Sequence, residues 1–223
     1  MSIETIDDLR GPEGHLEALI NRGSEDAPFA AVLCHPHPPS GGTMHTKAVF
    51  HAMKALNVFG IPVLRFNFRG VGKSAGSYSG GLGEVEDARA GIEYMSTRYA
   101  LPLIVGGFSF GANMALRAAC GDERVQGLIG LGTPIEAEGR RYSYEFLESC
   151  TQPKLFVAGT EDPFAPRDVM ENVLRAGSGE TKIVWIEDAD HFFQGTALSP
   201  APKLDLMRAA IDTWVSETFG LSR

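Results

Sequence analysis

Short apolar, β-branched runs alternate with amphipathic stretches along nearly the whole chain. This alternation constrains the fold more than any other feature. A strand buried on both faces reads as an apolar run, and the segment crossing back to its parallel neighbour reads as a helix with one apolar stripe. Residues 29–34, 61–66, 101–105, 125–131, 154–158 and 182–186 read as strands. Residues 46–59, 84–99, 110–120, 166–175 and 202–219 read as helices, and in the first of these Val49, Met53, Leu56 and Phe59 recur at helical spacing. Pro166 and Pro202 are expected in the first turns of the last two, where a missing N–H costs nothing. Two more strands are expected near 2–7 and 15–21, joined by the turn residues Gly11, Pro12 and Gly14. The pattern predicts an α/β fold with a mostly parallel sheet flanked by helices.

With 223 residues and no repeat, linker or low-complexity tract, one domain over 1–223 is expected. The net charge of −8 gives no electrostatic support for binding nucleic acid or an anionic membrane surface. No run approaches the roughly 18 apolar residues of a membrane span. The first nine residues carry Glu4, Asp7 and Asp8 and no apolar core, unlike a secretion signal, so a cytoplasmic location is expected. Cys34, Cys120 and Cys150 are odd in number and widely spaced, unlike a disulfide framework or a zinc site.

Gly107-Phe108-Ser109-Phe110-Gly111 is a Gly-x-Ser-x-Gly motif. Alone it is a weak signal, but here it lies between a strand, 101–105, and a helix, 110–120, which is the setting the motif requires. The serine would sit on a tight turn, and side chains two residues away on either side would collide with the neighbouring strand and helix. The following helix would turn its N-terminal amides towards developing negative charge. A serine nucleophile needs a base and a carboxylate to hold that base. His191, past the last strand, is the candidate base. Among Glu161, Asp162, Asp188 and Asp190, Asp162 is preferred as the acid because it follows the strand 154–158 at the same sheet edge. Asp190 adjoins His191 and would need an awkward turn to grip it; Glu136 is the second choice.

A tetrahedral oxyanion needs backbone donors. Pro36, Pro38 and Pro39 have none, so His37 is the only donor between 36 and 39, and His37 and Phe110 are the expected pair. His35, His37, His45 and His51 also raise metal binding, but no Asp, Glu or Cys accompanies them between 35 and 51. A structural role in bonding loop carbonyls is expected for His35, and no metal or other cofactor is expected. Gly70-Val71-Gly72-Lys73-Ser74 looks like the end of a phosphate-binding loop. The full pattern wants glycine where Asn67 stands and a helix directly after Ser74, where the glycine-rich 75–81 follows instead.

His35-Pro36-His37-Pro38, Gly41-Gly42-Thr43-Met44-His45, the run from Arg65 through Ser74 and Gly107-Phe108-Ser109-Phe110-Gly111 together resemble a bacterial family of small α/β-hydrolases. That family is related to dienelactone hydrolases and is described as carboxylesterase- or thioesterase-like. The resemblance covers nearly the whole chain. It implies an eight-stranded, mostly parallel sheet and a triad of Ser109, Asp162 and His191. Dienelactone hydrolases proper use a cysteine nucleophile, so Ser109 argues against dienelactone as substrate.

Only about 20 residues separate Leu131 from Lys154, room for a short helix near 142–148 but not for a cap domain. A shallow site is expected, with Phe108, Phe164, Phe192 and Tyr142 as its walls and Phe110, Phe193 and Tyr144 as further candidates. No pair of arginines is evident to clamp a phosphate. The expected partner is a small ester or thioester, with no nucleic acid and no membrane, for a monomer or homodimer. A peptidase or amidase with the same triad, and a non-catalytic ligand-binding protein of this fold, are the alternatives.

Overall fold

In the computed structural model, which describes residues 2–222 apart from 138, 176 and 198, eight of the expected runs pair into one sheet. The strands are β1 (Ile3–Ile6), β2 (Ala18–Asn21), β3 (Ala30–Cys34), β4 (Val63–Phe66), β5 (Leu103–Phe108), β6 (Val125–Leu131), β7 (Lys154–Gly159) and β8 (Thr181–Ile186). Their spatial order is β1-β2-β4-β3-β5-β6-β7-β8. The pairs β1–β2 and β2–β4 are antiparallel and the rest parallel. Among the described residues five α-helices cover the sheet: α1 (Lys47–Asn57), α2 (Leu82–Tyr99), α3 (Phe110–Ala119), α4 (Arg167–Arg175) and α5 (Leu204–Phe219).

Side chains of a strand alternate between faces, and here both faces are buried. In β3, Ala31 and Leu33 join a core with Val49 and Met53 of α1 and Met207, Ile211 and Trp214 of α5. Ala30, Val32 and Cys34 point the other way, into a core with Ala88, Ile92 and Met95 of α2 and Met114 of α3. That is why β3 reads as an unbroken apolar run. Gly91 lets α2 lie close to the sheet, since a Cβ there would come within 3.3 Å of Phe66 and Val32.

Some boundaries differ from the sequence reading for local reasons. β5 continues through Gly106 and Gly107 to Phe108, because both glycines pair in register with Ile129 and Gly130 of β6. β2 starts only at Ala18, since His15 is taken by a small hairpin in which Arg10–Gly11 pairs with Gly14–His15. Pro166 precedes α4, its carbonyl accepting the Met170 N–H at 2.9 Å. Pro202 lies before Lys203, the N-cap of α5, so neither proline sits inside the first turn as expected. Between β6 and β7 there is no cap domain. A two-strand hairpin (Glu136–Ala137 with Arg140–Arg141) and a short 3-10 turn (Glu145–Ser149) occupy that interval. Among the described residues, no helix is long and apolar enough to cross a membrane.

The segment after β4 is anchored by a buried ion pair. Asp87 on α2, with no exposed surface, accepts the Arg69 backbone N–H at 3.0 Å, its Nε at 3.0 Å and its Nη2 at 2.8 Å. Asp87→Ala would leave the guanidinium with only the half-exposed Glu13 carboxylate, 3.7 Å from Nη1, and breaking a buried pair from one side costs about 3–5 kcal/mol. Urea denaturation should show that loss as a lower midpoint at unchanged slope. A loss below about 1 kcal/mol, the range of a surface pair, would mean the pair is not holding the loop.

Candidate active site

Ser109 joins β5 to α3 with φ 56° and ψ −124°. A non-glycine residue held there costs on the order of 1–3 kcal/mol. The surroundings impose it: the Ser109 N–H donates to Leu131 O at 2.8 Å and Ser109 O accepts the Ala112 N–H at 2.9 Å. A Cβ on Gly107 would lie 2.4 Å from Gly111 O, and one on Gly111 would lie 2.2 Å from His35 O. The two glycines therefore let the turn close against its own helix and against the end of β3, as the motif's spacing suggested.

His191 and Asp162 reach the same place from the loops after β8 and β7. His191 Nε2 lies 2.9 Å from Ser109 Oγ, and its Nδ1 lies 2.8 Å from Asp162 Oδ2. All three residues are buried. A carboxylate can only accept, so Nδ1 carries the ring proton and Nε2 is left to accept from the serine hydroxyl. The Phe164 N–H donates to Asp162 Oδ1 at 2.9 Å and fixes the carboxylate. Phe108 and Phe164 hold the imidazole, with ring centroids 5.0 and 4.7 Å away. Gly132, just after β6, leaves room for it, because a Cβ there would meet Phe108 at 2.8 Å and His191 Cε1 at 3.3 Å. Asp190 is spent on its own loop, accepting the N–H groups of Phe192 (2.9 Å) and Gln194 (2.8 Å). Glu136 is exposed on the small hairpin.

A cavity of about 50 Å³ opens over Ser109, walled by His37, Tyr142, Phe164, His191 and Phe192. Three of the four expected wall residues thus line it. Phe108 does not: it is fully buried at the end of β5, beneath the His191 ring. Phe110, Phe193 and Tyr144 are buried elsewhere in the core, Tyr144 with its hydroxyl on Pro134 O at 2.7 Å. His37 stands at the cavity edge and Phe110 is the first residue of α3, a position whose N–H has no partner within its helix.

The remaining candidates fall outside the chemistry. His35 accepts the Phe68 N–H at Nε2 (3.0 Å), so its Nδ1 proton goes to Pro36 O at 2.7 Å. Burial lowers its pKa to about 4 and keeps it neutral. With both ring nitrogens engaged it is a structural residue, bonding a loop carbonyl as expected. In the glycine-rich segment, the Glu17 carboxylate accepts the Lys73 N–H (2.9 Å) and Asn67 Nδ2 (2.8 Å), while Ser74 Oγ donates to Asn67 O at 2.6 Å. A carboxylate therefore occupies the loop that the phosphate reading would give to an anion. The sequence reading overlooked Tyr78 and Arg140. Tyr78 OH lies 2.8 Å from His37 Nε2 and accepts from Arg140 Nη1 at 3.3 Å. Tyr78 sits in the glycine-rich loop and Arg140 in the interval between Leu131 and Lys154, and no local motif marks either.

Residues 30–218 match a protein family described as an α/β hydrolase domain. An uncharacterised protein of Rickettsia prowazekii is 34% identical over 194 residues, 83% of this chain and 81% of that protein. A solved α/β serine hydrolase homologue from Coxiella burnetii superposes with a TM-score of 0.81 at 33% identity, covering 95% of this chain and 96% of its own. An α/β serine hydrolase without a lid from Xanthomonas campestris gives 0.80 at 32% identity, covering 97% and 94%. The family model spans most of the chain and the two solved structures superpose over nearly its whole length, and the chain belongs to the α/β-hydrolase family.

Proposed function

We propose that this protein is a serine hydrolase that cleaves an ester or thioester bond of a small substrate through an acyl-enzyme on Ser109. The observation carrying this reading is the unbroken path from Ser109 Oγ through His191 to Asp162, at 2.9 and 2.8 Å. His191 takes the serine proton as Ser109 attacks the carbonyl, and Asp162 holds the ring and stabilises the imidazolium that forms. The N–H groups of His37 and Phe110 receive the oxyanion. His191 then protonates the leaving group and activates the water that frees the acid. The relatives from Coxiella burnetii and Xanthomonas campestris, at 33% and 32% identity, are described as a serine hydrolase homologue and a serine hydrolase. The residues named need no cofactor for these steps.

A cavity of about 50 Å³ is far below the several hundred Å³ of a drug-sized pocket. It suits a short acyl group, with the rest of the substrate lying outside past Phe192, which is 53% exposed. Two measurements test this. A fluorophosphonate, which reacts only with an activated serine, should label the folded protein. A p-nitrophenyl ester series should turn over fastest at acetate to butyrate. Absence of labelling would favour a ligand-binding role for the fold, and a strong preference for long chains would contradict the small acyl site. Turnover of amides in preference to esters would move the assignment to a peptidase or amidase using the same three residues.

A further inference from the structure

Three chain segments that meet beside Ser109 form a hydrogen-bond chain. Arg140, from the small hairpin after β6, is a donor only. Its Nη1 lies 3.3 Å from Tyr78 OH and its Nη2 donates to Gly80 O. The guanidinium also stacks over the Tyr142 ring, 5.7 Å from its centroid, which holds it in place. With its oxygen accepting from Arg140, Tyr78 is able to donate its own proton to His37 Nε2, at 2.8 Å. When Nε2 accepts from Tyr78, the ring proton is on Nδ1, which donates to Ser40 Oγ at 2.9 Å. Ser40 has accepted, so its hydroxyl proton is left to give.

Ser40 and Ser109 wall the same cavity. In a space of about 50 Å³, an acyl group bonded to Ser109 sits in a cavity that Ser40 also lines. The geometry points to Ser40 as a substrate-contacting residue, whose O–H donates to an oxygen of the bound ester, with Arg140, Tyr78 and His37 as positioning residues that set the direction of that donation. A cationic origin polarises each following bond in the same sense, so the last donor is stronger than an isolated serine. This inference rests on the serine-hydrolase reading above and adds a side-chain donor to it.

The test uses purified full-length protein, p-nitrophenyl acetate and fluorophosphonate labelling. Ser40→Ala should lower kcat/KM by roughly 10- to 100-fold, mostly in kcat, somewhat less than the loss of a full oxyanion donor. Ser40→Thr, which keeps the hydroxyl, should stay within about 3-fold of the unsubstituted protein, a rescue that a purely packing role would not give. Tyr78→Phe should lower kcat/KM by about 5- to 10-fold alone and have almost no effect in the Ser40→Ala background, because both act through one bond. Ser40 is exposed at the end of a 3-10 turn, so the alanine variant should fold, and a thermal melt checks it. If unsubstituted protein is labelled and hydrolyses the ester while Ser40→Ala does so equally well, the Ser40 role is overturned and the serine-hydrolase reading stands. If additive losses are found for Ser40→Ala and Tyr78→Phe, the directed chain is wrong. Unlabelled, inactive unsubstituted protein would overturn both readings together.

Discussion

Ser109→Ala is expected to abolish fluorophosphonate labelling and to lower kcat for short esters by at least about 10⁴-fold, the loss seen when a nucleophile that works as a unit with its base is removed. Only the hydroxyl disappears. Alanine at φ 56° bears the same backbone strain as serine, and the Leu131 and Ala112 bonds that impose the turn are to the backbone. His191 loses its 2.9 Å contact but keeps Asp162 and the Phe108 and Phe164 rings. Thermal stability should therefore change little, and inactivity cannot be ascribed to misfolding. Ser109→Gly gives an internal check from the opposite direction: it should be equally inactive yet more stable, because glycine accepts positive φ without cost. Esterase activity surviving in either variant would mean that the reacting group lies elsewhere.

How much of this was legible in the sequence depends on range. β3 and β6 were readable because a strand buried on both faces leaves an apolar run, and the serine turn was readable because Gly107 and Gly111 answer a local steric demand. Ser109, Asp162 and His191 could be placed together because each follows a parallel strand, and parallel strands deliver their following loops to one edge. Phe108 was misjudged as a wall because alternation gives a side chain's face but not its depth; the structure puts it under His191. The Arg69–Asp87 pair and the Arg140–Tyr78–His37 chain join residues 18 to 62 positions apart, through side chains that no periodicity orders. Such pairings follow from the closed fold alone. The two prolines show the reverse limit: each marked a helix start but missed the first turn by one or two residues, as helix ends commonly allow.

Asp162→Asn should lower kcat by about 10⁴-fold while leaving the geometry intact. The reason lies in a contact that the reaction itself does not use. The Phe164 N–H donates to Asp162 Oδ1 at 2.9 Å. In the asparagine variant that donor selects the amide oxygen, so the NH₂ group must turn towards His191 Nδ1. A donor facing Nδ1 requires a lone pair there, and the neutral ring then carries its proton on Nε2. Nε2 stands 2.9 Å from Ser109 Oγ, so the ring now donates to the serine it should deprotonate. The imidazolium that forms during attack also loses its counter-charge. Labelling by the fluorophosphonate should slow in parallel with turnover, while the melting temperature moves only slightly because every position still has a partner. Asp190→Asn is the matched control, since that carboxylate accepts only loop N–H groups and an amide oxygen can do the same; its activity should stay within a few-fold. Near-normal turnover in Asp162→Asn, or a collapse in Asp190→Asn with the fold preserved, would mean that the orienting charge is not on the loop after β7.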